Sequence, residues 1–333
     1  MNPADIDFSE LMDLRVDYAF KLLFGTGETR HLVSLLNAIF ENKRIPRVVT
    51  SLTIVNPSLE RADAEDKLSV LDVRAALADG SSAIIEMHLY DLEEHKYKAV
   101  RSLARAYGED LAIGDGYAAQ HSVVHISFTN GPVSDAMGRP VGKIHALFMM
   151  MERDSHEPLL SEMEAHFIDM RAFAKYCNEY AEDGDGVSEK FMRWLMLITE
   201  KEIRDKDAVR KICEEGEIMD AVETLTQLSM DKARRQAYKR RQDQIYFHNR
   251  AKAKNDAALA DKDKIIANMD AELADKDAAL VETKEALADK DAALADKDAA
   301  LADKDAELAE TKEALADKDA KIAELLAQLE KSK

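Results

Sequence analysis

Asp72, Glu86 and His88 are the residues of this chain whose types and spacing could do chemistry together. Glu86 and His88 stand two apart in an apolar, strand-like run, and residues i and i+2 of a strand share a face. Asp72 lies in the preceding run, and Asp79-Gly80 separates the two. Whether Asp72 joins them is set by the turn. A two-residue loop pairs Ala78 with Ser81, which puts Asp72 across from Met87 and on the wrong face. A three-residue loop, Ala78 to Gly80 with Gly80 left-handed, pairs Leu77 with Ser81 and sets Asp72 directly across from Glu86. Side chains so opposed are about 5 Å apart, close enough for two carboxylates to share one divalent cation. Such an ion activates water and stabilises charge on a phosphodiester oxygen. Without a cation, two adjacent carboxylates need a shared proton.

The elements that must position these groups read as mixed α/β. Helical spacing runs over 16–24 and 31–40, where Leu32, Leu35, Leu36, Ile39 and Phe40 make an apolar stripe. Residues 48–55 are strand-like and end at Asn56-Pro57, and a polar loop follows to about Lys67. Strands are expected at 68–77 and 81–89, a helix at 97–113, a short buried strand at 122–128 and a further one at 141–149. From 159 to 230 the pattern is mainly helical, split by the loop EDGDGVSE at 182–189. The domains expected are 1–150 (the α/β part), 151–255 (a helical region with a basic segment) and 256–333 (a repeat tail).

Composition excludes several classes. The 333 residues carry a formal net charge of −19, and the apolar content of 46% suffices for a core. No apolar run approaches the roughly 18 residues of a membrane span. The acidic start MNPADIDFSELMD has no apolar signal core, so a cytoplasmic location is expected. Cys177 and Cys213 make no disulfide framework. There is no P-loop, no GxGxxG after a strand and no CxxC pair. His121 and His125, four apart on a strand, are separated by roughly 13 Å and cannot chelate one metal together.

The charge is unevenly spread. Residues 256–333 hold 22 acids and 12 basic residues, whereas residues 232–254 hold nine Lys/Arg against the single acid Asp243. Such a basic segment in an acidic chain can bind an anion such as nucleic acid, or pair with acids elsewhere in the fold. In the tail an apolar residue recurs every seven positions from Leu259 to Leu329 in units of the form ALADKDA, with no Gly, Pro or aromatic. That is a marginal helix which becomes a weak left-handed coiled coil on finding a partner, or else a low-complexity spacer.

Several motifs, in order, resemble the recombination-promoting nuclease and transposase family of the PD-(D/E)XK nuclease superfamily. They are VDYAFKLLFG (16–25), LLNAIF (35–40), LDVRAALADG (71–80), IIEMH (84–88) and RSLARAYGEDLAIGDGY (101–117). MDAVETLTQLSMDKARRQAYKRRQ (219–242) resembles the family's C-terminal helical region. The resemblance covers roughly residues 12–250. It implies a restriction-endonuclease-like αβββαβ core and a DNA endonuclease dependent on Mg²⁺ or another divalent cation. By the motif, Asp72 and Glu86 match the metal-binding acids. His88 falls where the superfamily has Lys and this family commonly has Gln. The third residue of such sites orients the attacking water or stabilises charge at the phosphate, and histidine carries no permanent charge there. Asp17 stands as a supporting acid from the first helix, unless it pairs with Lys21 one turn on.

Lys98, Arg101 and Arg105 form a basic stripe at i, i+3 and i+7 of the helix after the hairpin, placed to contact phosphates without reading sequence. Low sequence specificity and strong salt dependence follow. The partners expected are DNA and a second copy of the chain, a dimer that the tail could aid. A second reading keeps the fold and drops the chemistry. With His88 marking a decayed site, the chain is then a DNA-binding or oligomerising protein. A third makes the globular part an anchor for the repeat.

Overall fold

The computed structural model describes residues 7–55, 72–89, 92–109, 116–179, 186–213 and 216–331. Contacts divide the chain into two compact units, 1–251 and 252–333. The first is built on a six-stranded mixed sheet: β1 (Leu52–Ile54), β2 (Val73–Leu77), β3 (Ser82–His88), β4 (Val123–Thr129), β5 (His145–Met149) and β6 (Met163–Asp169), in the spatial order β1-β2-β3-β4-β6-β5. Helices α1 (Asp17–Phe24) and α2 (Arg30–Asn42) precede the sheet, and α3 (Leu92–Glu109) crosses from β3 to β4. That crossover makes β3 and β4 parallel, and β4 and β6 are parallel as well. The order α2-β1-β2-β3-α3-β4 is the expected αβββαβ core. After β6 come α4 (Met170–Glu179), α5 (Glu189–Ile198), α6 (Lys206–Cys213), α7 (Gly216–Met230) and α8 (Lys232–Lys331).

Alternation along the strands divides the buried side chains between two faces. Val73, Ala75, Ala83, Ile85, Met87, Val124, Ile126, Phe128 and Ile168 join Phe20, Leu35, Ile39 and Trp194 in the main core on the α1/α2 face. The other face is covered by α3, whose Ala99 and Leu103 pack on Val123, Ala165 and Phe167 in a second, smaller cluster. The hairpin turn resolves in favour of the three-residue loop. The Leu77 N–H donates to the Ser81 carbonyl at 2.7 Å, and Val73 pairs with Ile85. Gly80 sits at φ +88°, and a Cβ there would meet the His121 ring at 2.4 Å, so glycine is required twice over.

Two expectations need correction. The helical reading of 159–230 fails at β6, which inserts between β4 and β5. β6 is buried on both faces and so shows no alternation, and a short apolar run of this kind cannot be told from a helix by periodicity. The strand expected over 48–55 shrinks to β1, because Val48 is exposed and Ile45 to Ser51 runs as irregular chain. The strand residues 68–71, the polar loop with Asn56-Pro57, the helix end at 110–113 and most of the loop at 182–189 lie outside the described residues.

The second unit is the greater part of α8, a helix whose described side chains are all exposed apart from its first residues. From Leu259 to Ile322 the seven-residue series faces solvent. Among the described residues, no helix is long and apolar enough to cross a membrane.

Candidate active site

β2 pairs with β3 from Val73–Ile85 onward, and the same register continued by one residue would set Asp72 opposite Glu86, on the α3 side of the sheet. Asp72, one residue before β2, keeps 20% of its side chain exposed, and Arg74, two residues on, donates from Nε to its Oδ2 at 2.5 Å. Glu86, with 17% exposure, lies at the mouth of a buried imidazole cluster. His125 Nε2 stands 3.5 Å from Oε1, and His95 Nδ1 stands 3.9 Å from Oε2. Ser127 closes the circuit, with its Oγ 2.8 Å from His95 Nε2 and 3.3 Å from His125 Nδ1. His88 is buried and stacks on His95 with ring centroids 3.7 Å apart.

Three elements deliver this ring. β3 supplies Glu86 and His88, α3 supplies His95, and β4 supplies His125 and Ser127; Ser127 is the register partner of Glu86. Burial alone would raise the Glu86 carboxyl. The imidazoles of His125, then His95 and His88, outweigh it and hold that carboxyl at about 2. Burial first, then the neighbouring His88, pushes His95 down to about 3, so its ring is neutral at physiological pH. Glu86 is therefore an anion facing the ring edges of His125 and His95. His95 Nδ1 and His125 Nε2 have no hydrogen-bond partner among the described residues, so the cluster is not saturated.

The acidic pair fits a divalent cation. One carboxylate is kept ionised, and the other is balanced by an arginine that is half exposed and can be displaced. Among the described residues no three His, Cys, Asp or Glu side chains converge into a closed metal cage. Two carboxylates are a donor set that a hard divalent cation accepts.

Asp17 lies elsewhere. It is buried at the start of α1, and the Arg241 guanidinium donates from Nε to both its oxygens, at 2.8 and 3.1 Å, and again from Nη2. It fastens α8 to α1. Lys21 is buried, its stem passes beside Val73 over Gly25, and burial lowers its pKa while the Asp72 carboxylate pulls it back up. Lys98, Arg101 and Arg105 are all exposed on α3, with Lys98 about one turn on from His95. Arg105 pairs with Glu109 at 2.8 Å, and the other two enter no ion pair among the described residues. His95, His125 and Ser127 escaped the sequence reading. His125 meets a glutamate on the neighbouring strand, which spacing along one strand does not reveal.

A family model described as PD-(D/E)XK nuclease family transposase matches residues 14–255. No curated protein and no solved structure matches the chain.

Proposed function

We propose that this chain, which belongs to the PD-(D/E)XK nuclease family transposases, is a divalent-metal-dependent DNA endonuclease of low sequence specificity. One observation carries the reading: Val73 pairs with Ile85, a register that brings the preceding Asp72 to the level of Glu86, and Glu86 is held ionised. A divalent cation bound there supplies Lewis acidity toward the phosphodiester and lowers the pKa of water. The chain's own groups do the rest. Asp72 and Glu86 fix the cation, and His125 and His95 orient the Glu86 carboxylate from behind, as outer partners of metal ligands do. His88 stands at the position of the third motif residue. Lys98 and Arg101 take backbone phosphates, which positions DNA without reading bases. The setting we propose is recombination, mobile elements or defence against foreign DNA, in the cytoplasm. The acting form is a homodimer in which two sites cut two strands, and the seven-residue leucine spacing of the tail supports such self-association.

Supercoiled-plasmid cleavage tests this. Purified protein is expected to nick with Mg²⁺ and not with EDTA, and Asp72→Ala is expected to be inactive while keeping its circular-dichroism spectrum. Nicking by Asp72→Ala at the native rate would remove the assignment.

One observation favours a second reading, a silent relative that binds DNA: His88 is buried and stacked on His95. His88→Lys separates the two. A large gain in nicking points to a decayed site, and no gain points to a site that works with histidine.

A further inference from the structure

The basic segment at the start of α8 is two surfaces, and only one of them holds the fold. Tyr238 accepts the Asp13 N–H at its hydroxyl, Arg241 grips Asp17, and Ile245 packs on the main core; these residues share one side of the helix. Lys239, Arg240, Tyr246, Phe247 and Arg250 fall within about 120° on the opposite side, at 100° per residue. All five are exposed, and the three cations enter no ion pair among the described residues. Tyr246 is 59% and Phe247 63% exposed, with their rings T-shaped at 5.5 Å. Asp243 is the one acid on this side. The strip lies wholly within the first compact unit and extends about 17 Å along the helix.

We propose that this strip is a docking surface for single-stranded DNA, with Lys239, Arg240 and Arg250 taking phosphates and the rings of Tyr246 and Phe247 each stacking a base. The inference rests on reading the chain as acting on DNA and goes beyond it by naming the strand form and a surface outside the acidic site. Cations alone would suit a duplex equally. The rings decide it, because two exposed aromatic faces gain little from a phosphate backbone and much from an unpaired base, whose π-face a duplex hides. In a chain of net charge −19, a cluster of cations that enters no ion pair among the described residues favours a polyanion over an acidic protein surface.

The test is binding, measured in EDTA so that it does not depend on cleavage. Fluorescence anisotropy of a labelled oligodeoxythymidine and of a duplex of equal length is followed with the full chain. Single strand is expected to bind at least about tenfold tighter than duplex. Tyr246→Ala and Phe247→Ala are each expected to weaken it at least about fivefold, and Phe247→Trp to retain it. Arg240→Gln and Arg250→Gln should each lower the slope of log K against log salt by about 0.7. Equal or tighter duplex binding would overturn the proposal, as would ring variants that bind like the parent. A third outcome also refutes it: loss of the rings changes the sedimentation coefficient but not oligonucleotide binding, which identifies the strip as a contact between copies of the chain. A protein that binds the strand yet never nicks plasmid upholds the strip and sinks only the nuclease reading.

Discussion

The sheet carries two clusters of histidine and glutamate, one on each face, and they have opposite characters. On the α1/α2 face, Glu164 receives Arg47 at 3.4 Å and lies 3.3 Å from His166 Nε2. His166 Nδ1 is 2.9 Å from His145 Nε2, and His145 Nδ1 is 2.9 Å from Asn42 Nδ2. Every ring nitrogen of that chain has a partner, and Glu164 is only 4% exposed. On the α3 face, Glu86 opens to solvent beside Asp72, and ring nitrogens of His95 and His125 are left over. The same side chains thus build a closed polar core in one place and an unsatisfied rim in the other. A buried network that is complete gives rigidity, whereas one with spare capacity next to a second carboxylate has room for a ligand.

Breaking the rim should cost chemistry, and breaking the core should cost stability. The largest effect is expected for Glu86→Gln, which should lower Mg²⁺-dependent nicking by more than about a hundredfold, beyond what outer partners of a metal site cost. Its melting temperature should stay within a few degrees of the parent, and a collapse there would make Glu86 a structural residue. Glu164→Ala should do the reverse, leaving Arg47 and His166 unpaired at a cost of about 3 kcal/mol, or roughly 10 °C in melting temperature. A calorimetric scan showing no shift would erase the contrast. His125→Ala should fall between, with nicking down about 10- to 100-fold, the Mg²⁺ requirement raised and the fold intact; a variant that loses activity without any change in metal dependence argues against a positioning role.

The smallest effect is a slope with pH. His145 is pushed down to about 2 by burial and then by His166, and burial lowers His166 as well. Below about 6.5 the unfolded chain takes up protons that these folded rings refuse, so stability falls as pH falls, by about 1.4 kcal/mol per unit per ring. Glu86 adds to the loss only below its ordinary carboxyl range near 4.5, where the unfolded chain is protonated and the folded carboxylate is not. Chemical denaturation at pH 7, 6 and 5 should show the decline, and Glu164→Ala should change its slope while Glu86→Gln should not. A pH-independent midpoint would mean the rings charge freely in the fold.

The legible part of this site was local. Asp79-Gly80 and two alternating runs limited the hairpin to two registers, and the observed Gly80 φ of +88° selects the one that opposes the acids. The histidine ring was hidden because it depends on which strand lies next to β3, and that neighbour arrives only after a helical crossover. Asp17 and Arg241 illustrate the same limit: each was singled out, one as a supporting acid and the other within a basic run, yet their pairing spans most of the chain. β6 failed for a different reason, since a central strand buried on both sides has no polar face to mark its period.

The separation in sequence between the acidic hairpin and its imidazole backing also orders their assembly. β2 and β3 meet across a three-residue turn, whereas β3 finds β4, and β4 finds β6, only across about forty residues each. Closing the short loop is fast, and the parallel pairings bear a loop-closure entropy that slows them. The two carboxylates are thus brought together early in folding, before His125 and Ser127 arrive to hold one of them ionised. A newly made chain passes through a stage in which its acids are adjacent and its site is still incompetent.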